Sequence, residues 1–336
     1  MRRNALYSLI VFLITLTFVC PLDLPAAPFY EGKTIRMICG GGPGGGDDRM
    51  ARIFAKYLPK YIPGNPTIIV ENMPGAGNII AANYLYNIAK PDGLTIGVIQ
   101  RGLPFGQLLK IEGVKFDLTK FAWIGSPAVE SIVLTVRSDT PYKSVEDLRN
   151  AKVPIKMGAA GVSSSSTQFC VLLKALTGIK NLQVIQYPTS PEVALAIERK
   201  EVDGKATSYS SFKSYILKGL YRPLIRGRVT EPGIEKLPVD EDLASDPVGK
   251  KLMALRSGPD RIGRPTIAPP KTPSEPMAIL RAAYVKATKD PEVLGMAEKL
   301  EMRIDYVPPD ECLKILQNFF NQPENVVKEF SKYIKF

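Results

Sequence analysis

Histidine is absent from all 336 residues. That absence removes the Ser-His-Asp and Cys-His catalytic arrangements and the common imidazole-bearing zinc sites. Cysteine is sparse, with four residues at Cys20, Cys39, Cys170 and Cys312. Cys20 falls in the leader described below, so three remain, an odd set that allows at most one intrachain disulfide. Each of the three sits in an apolar pattern, and buried free thiols are expected. The net charge is +11, but Lys and Arg are scattered and form no block of five or more, so nucleic acid is not expected as a partner. The positive field would modestly help to draw in anions. Gly-x-Ser-x-Gly does not occur, and Asp203 and its neighbouring carboxylates have no metal-ligand spacing. Neither a metal nor a cofactor is expected.

What is present begins with a leader. Arg2 and Arg3 precede a nearly continuous apolar run from Leu6 to Val19, followed by Pro21, Pro25 and the small pair Ala26-Ala27. This is the pattern of a secretory signal peptide over residues 1–27, cleaved after Ala26 or Ala27. The run is shorter than the ~20 residues of a comfortable membrane span, which sets an uncleaved anchor aside as the alternative. Phe18-Val19 are bulky where a lipobox before Cys20 wants small residues, so lipoprotein anchoring is not expected either. Removing residues 1–27 takes away two Arg and one Asp and leaves +10. No later segment is apolar enough to span a bilayer, and a periplasmic location is expected.

The mature chain alternates strand-like and helix-like segments, the mark of an α/β fold. Thr34–Cys39, Thr67–Glu71 and Thr95–Ile99 read as strands. Helices are expected over Met50–Leu58, where Met50, Ile53, Phe54, Tyr57 and Leu58 recur at helical spacing, and over Asn78–Ala89. A second series follows: strands at Ile132–Val136, Ile155–Met157, Val184–Gln186 and Arg222–Arg226, and helices at Val145–Asn150, Ser163–Leu176 and Pro191–Lys200. Residues 228–275, rich in Pro, Gly and charge, read as long surface connections. Helices marked by Met277, Leu280, Tyr284 and Ala287, and by Cys312, Ile315, Leu316, Phe319 and Phe320, lead to a last amphipathic segment over Asn325–Ile334.

Three strand-to-helix junctions are unusual. Six of the seven residues from Gly40 to Gly46 are glycine, followed by Asp47 and Asp48. The second junction is Asn72-Met73-Pro74-Gly75-Ala76-Gly77-Asn78, and the third runs from Gly158 through Gly161 and Ser163–Ser166. The first four N–H groups of a helix lack internal partners, the helix dipole adds positive charge there, and glycine lets a ligand oxygen reach the backbone. Such junctions can hold an anion without any charged side chain. Asp47 or Asp48 can cap the first helix, and one serine of the third loop can cap the helix after it. Gly40-x-Gly42-x-x-Gly45 also matches the dinucleotide fingerprint, which keeps an exported oxidoreductase open as an alternative. Gly32-Lys33-Thr34 lacks the leading glycine of a P-loop and precedes a strand instead of following one.

In their order and spacing these segments resemble the extracytoplasmic receptors of tripartite tricarboxylate transporters, the TctC or Bug type. The resemblance is carried by Pro43–Asp48, by Val70–Asn78 with its Glu-Asn-Met-Pro-Gly-Ala-Gly core, by Lys90-Pro91-Asp92-Gly93-Leu94-Thr95, and by Gly158–Ser166 with Glu201-Val202-Asp203 beyond. It covers nearly the whole chain after the leader. It implies the type II periplasmic binding protein fold, with two α/β lobes, a cleft between them, and a chain that crosses twice. Residues 28–131 plus 246–336 would form one lobe and 132–245 the other. It implies a binding protein, not an enzyme: a monomer that captures a small carboxylate (a di- or tricarboxylate, an aromatic acid or an amino acid) and delivers it to membrane permease subunits. A ligand-sensing receptor needs the same cleft and is the alternative. First-lobe contacts map to Gly44, Gly45, Gly46, Gly75, Ala76 and Gly77, and second-lobe contacts to Gly161, Ser163 and Ser164. Asp203 matches a family acidic position near the cleft. Asp48, Asn72 and Ser165 complete the candidate set. The chain departs from the family at Cys39-Gly40-Gly41, where a Val-Pro run is usual, at Ser166-Thr167-Gln168, where a histidine often follows the loop, and in a long charged segment from Gly233 to Arg264.

Overall fold

A computed structural model describes residues 27–333; the leader and Cys20 lie outside them. The chain forms two five-stranded sheets. The strands are β1 (Thr34–Cys39), β2 (Thr67–Asn72), β3 (Thr95–Val98), β4 (Ala122–Gly125), β5 (Ile132–Arg137), β6 (Ile155–Ala160), β7 (Leu182–Tyr187), β8 (Gly204–Ser208), β9 (Tyr221–Arg226) and β10 (Thr266–Ala268). The first sheet has the order β2-β1-β3-β10-β4 and the second β7-β6-β8-β5-β9. β1 pairs parallel with β2 and β3, and β6 pairs parallel with β7 and β8. In each sheet the fourth position is antiparallel to both neighbours, β10 in the first and β5 in the second. Both of these strands follow directly on a crossing between the sheets. The two crossings lie side by side, with the Glu130 N–H donating to the Asp260 carbonyl at 3.1 Å.

The helices that matter for the site are α1 (Gly46–Tyr57), α2 (Ile79–Asn87), α3 (Ser165–Leu176), α4 (Ser190–Glu198) and α5 (Tyr209–Leu217), each following a strand. α6 (Pro247–Ser257), α7 (Ser274–Ala287), α8 (Pro309–Phe320) and α9 (Glu324–Tyr333) complete the frame. The stripe expected on the first helix is real: Met50, Ile53 and Phe54 are buried with Met37 and Tyr284. On α3, Phe169, Leu172, Leu173 and Leu176 are buried against β5 and β6. Cys39, Cys170 and Cys312 are free and buried.

Residues 228–275 are not surface connections. They contain α6, whose Leu252 and Met253 are buried, and β10, which sits inside the first sheet between β3 and β4. Their charges mislead because they face one another: Arg256 Nη1 lies 2.9 Å from Asp260 and Nη2 lies 3.1 Å from Asp240, all three buried. A charge can be buried when it is paired and hydrogen-bonded. The expected division assigns residues 246–336 to the first lobe, and their buried side chains are shared between two cores. Leu252, Met253, Phe319 and Phe330 belong to the core around the second sheet, with Leu134 and Leu173, whereas Met277, Leu280 and Tyr284 pack in the first. The last third of the chain therefore straps both lobes.

Candidate ligand cavity

The C-terminal ends of β1, β2, β6 and β8 converge on one cavity of about 80 Å³ between the two sheets.

The first wall is the glycine loop leading into α1, represented by Gly40, Gly41, Gly42, Gly45, Gly46 and Asp47. Its shape is held from behind. The Asp48 carboxylate accepts from the Gly44 N–H at 2.8 Å, from Arg52 Nε at 2.9 Å and from Asn72 Nδ2 at 2.8 Å. Asn72 Nδ2 also donates to the Gly41 carbonyl at 2.8 Å. Arg52 and the Gly44 N–H hold the Asp48 carboxyl below the usual carboxylate range although burial opposes it. Asp48 and Asn72 thus sit outside the cavity lining and fix the loop. The first-turn N–H groups of α1 have no intrahelical acceptor, and Gly46 and Asp47 both line the cavity.

The second wall is a left-handed turn. Gly75, Ala76, Gly77 and Asn78 have φ of 137°, 45°, 64° and 76°. Two non-glycine residues in that region cost about 1–2 kcal/mol each, so the surroundings must hold the turn. Gly75, Gly77 and Asn78 line the cavity. Asn78 is 4% exposed and its Oδ1 has no hydrogen-bond partner.

The third loop meets the second. Ser163 Oγ donates to the Ala76 carbonyl at 2.6 Å, from one lobe to the other. A Cβ on Gly161, whose φ is 86°, would lie 2.4 Å from the Gly77 nitrogen. Ser164 caps α3, its Oγ accepting from the Thr167 N–H at 3.2 Å. The Ser165 N–H donates to Gln100 Oε1 at 3.2 Å, again across the lobes. Of the candidate residues, Gly45, Gly46, Gly75, Gly77 and Ser165 line the cavity; Gly44, Ala76, Gly161, Ser163 and Ser164 stand behind it. Asp203 does not line it; its carboxylate accepts from the Lys156 N–H at 2.8 Å at the entry ends of β6 and β8.

The cavity also carries charged side chains that reading the loops alone missed. Arg101, Lys205 and Arg264 line it. Arg101 Nε donates to Asp260 at 2.8 Å and its Nη1 to Ser208 Oγ at 3.0 Å. Arg264 is paired with Glu130, donates from Nε to Asp47 at 3.1 Å and from Nη2 to Ser211 Oγ at 2.9 Å. Burial lowers its guanidinium to about 10. Lys205 Nζ donates to Ser190 Oγ at 2.7 Å, and burial lowers its ammonium to about 7. Arg264 fell in the segment misread as surface, and Lys205 in β8, which Gly204, Lys205 and Ser208 disguise as a loop although all five residues are buried. Among the described residues no group of three or more Cys, Asp and Glu side chains is arranged to hold a metal ion.

A family model described as "Tripartite tricarboxylate transporter family receptor" matches residues 50–331. Solved structures share the fold. The periplasmic binding protein BugD superposes with a TM-score of 0.74 at 19% identity, covering 90% of this chain and 98% of the other. MatC from Rhodopseudomonas palustris with bound malate gives 0.72 at 20% identity, covering 88% and 99%. R. palustris Rpa4515 with adipate gives 0.73 at 19% identity, covering 92% and 99%.

Proposed function

The chain belongs to the tripartite tricarboxylate transporter receptor family, a family of solute receptors and not of enzymes, and on that premise we propose that it captures a small carboxylate outside the cytoplasm and presents it to membrane permease subunits. One observation carries the reading: glycine-rich strand-to-helix junctions from both lobes converge on one cavity, with the lobes touching through Ser163 and Ala76.

In this reading the ligand's carboxylate docks on the first-turn amides of α1 at Gly46 and Asp47, beside Gly45, Gly75 and Gly77. Oriented backbone N–H groups at a helix start favour an anion. Arg264 and Arg101, each paired with carboxylates, brace that wall. Gly44, Asp48 and Asn72 shape the first loop. Ala76, Gly161, Ser163 and Ser164 form a clasp that closes behind the ligand, and Ser165 faces it from the second lobe. The lobes move about the paired crossings at Glu130 and Asp260, the hinge mode of two-lobed binding proteins. Malate and adipate, held by the two R. palustris relatives, set the size class to test first. The leader fits export to the periplasm, and no helix among the described residues is long and apolar enough to cross a membrane.

A thermal-shift screen of organic acids tests the reading. A ligand at about 100 times its Kd adds roughly 2.7 kcal/mol to stability. At least one small acid should raise the melting temperature by several degrees. A screen in which no carboxylate does so contradicts it.

A further inference from the structure

The reading above gives the ligand's first carboxylate a place and leaves the second-lobe wall without a task. Three cationic side chains line the cavity. Two are already matched, Arg101 by Asp260 and Arg264 by Asp47 and Glu130. Lys205 is not. It projects from β8, is 3% exposed, and its polar contacts are the Ser190 hydroxyl at 2.7 Å and the Ser190 carbonyl at 3.4 Å. The Phe212 ring lies 4.8 Å from its ammonium. Among the described residues no carboxylate comes within 4.0 Å of it.

An ammonium group out of water without a counter-ion is costly. Burial alone accounts for its lowered basicity. Nothing in the packing of β8 needs a charge there, since Gly204, Ala206 and Thr207 are buried beside it without one. A buried, uncompensated cation on the wall of a cavity built to receive an anion is a feature with a partner missing.

Resting on the carboxylate-receptor reading, we propose that Lys205 is the counter-ion for a second acidic group of the ligand, so that the receptor selects doubly charged acids over their singly charged counterparts. The ligand then spans the lobes, one carboxylate on the α1 amides and the other on Lys205, and its two ends draw the lobes together.

Isothermal titration calorimetry near pH 6.5 tests this with succinate, malate and adipate, each against its own monoamide, which keeps the shape and removes one charge. A hydrogen bond between charged groups predicts at least about a tenfold preference for one diacid over its monoamide in the wild type. In Lys205→Met the preference should collapse while monoamide affinity stays close to wild type; Lys205→Gln provides the same readout with a polar side chain. Removing an unpaired buried charge should leave the melting temperature unchanged or raised, which checks folding. A Lys205→Met or Lys205→Gln protein that keeps the preference overturns the assignment. So does a wild type that binds the monoamide as tightly as the diacid. A wild type that binds no acid of either kind overturns the carboxylate reading itself, and the two failures are thereby distinguished.

Discussion

Ser163 and Ala76 are joined across the cleft, the serine hydroxyl donating to the alanine carbonyl at 2.6 Å. Each belongs to a loop at the end of a strand, one in each lobe, and the bond exists only while the lobes are together. Its contribution is therefore to closure and not to the folding of either lobe. Ser163→Ala removes about 1 kcal/mol from the closed state, so ligand affinity should fall roughly fivefold with the melting temperature of the ligand-free protein within a degree or so of wild type. Calorimetry beside a thermal melt checks both. A large loss of ligand-free stability would show that the serine serves the fold.

Gly161 is the second half of the clasp. A methyl group there would meet the Gly77 nitrogen at 2.4 Å, and its φ of 86° is strained for any L side chain. Gly77 faces the mirror constraint, its Cβ position lying 2.3 Å from Ser163 Oγ. Substitution at either site blocks the approach of the lobes more directly than the approach of a ligand. Gly161→Ala and Gly77→Val should each lower affinity by more than about tenfold. Small-angle scattering with ligand should give the radius of gyration of the open form, where wild type contracts. Contraction equal to wild type would contradict the clasp.

Lys205 predicts the pH dependence. Its ammonium titrates at about 7 against an ordinary 10.5 because it is buried. The groups facing it are Ser190 from α4 and Phe212 from α5. The other charges on the wall are Arg101 with Asp260 and Arg264 with Asp47 and Glu130. A ligand carboxylate beside Lys205 favours the protonated form and raises its pKa, so binding above about pH 7 takes up a proton. Diacid affinity should fall as pH rises past 7, by up to about tenfold per unit, and Lys205→Met should flatten the profile. In the ligand-free protein the sign is opposite. Between about 7 and 10.5 the unfolded chain holds this proton more firmly, so the group's contribution to stability improves as pH rises through that window. Affinity that is flat from pH 6 to 9 in the wild type would contradict the role.

The buried charges of the misread segment make a stability prediction. Arg256 lies between Asp240 and Asp260, with all three side chains essentially buried. Arg256→Leu leaves Asp240 without its cationic partner and Asp260 with Arg101 alone, and should cost about 3–5 kcal/mol, visible as a large drop in the denaturation midpoint. A shift within experimental error would mean that the cluster is relieved by water.

The sheet frame and the three junctions were legible because each depends on a local signal. Thr34–Cys39 is an apolar run followed by glycines, and α1 begins at Gly46, where the glycine loop stops. The stripe of Phe169, Leu172, Leu173 and Leu176 announces α3. What was not legible is what only tertiary pairing decides. β8 has a glycine, a lysine and two hydroxyl residues in five positions, and it is a strand because β5 and β6 flank it. β10 has only three residues and is held by β3 and β4. Arg264 and Lys205 follow those strands into the cavity, so the charged part of the site disappeared with them. Asp203, which the resemblance sets near the cleft, lies at the entry end of β8, where its carboxylate accepts from the Lys156 amide.

A crystal structure of the receptor with the diacid that most raises its melting temperature tests the central claim most directly. One ligand carboxylate should lie about 3 Å from the backbone N–H groups of Gly46 and Asp47, with the molecule enclosed between that loop, the Gly75–Asn78 turn and Ser165. Ligand density anywhere else, or in the cavity with its carboxylates turned away from those amides, would contradict the account.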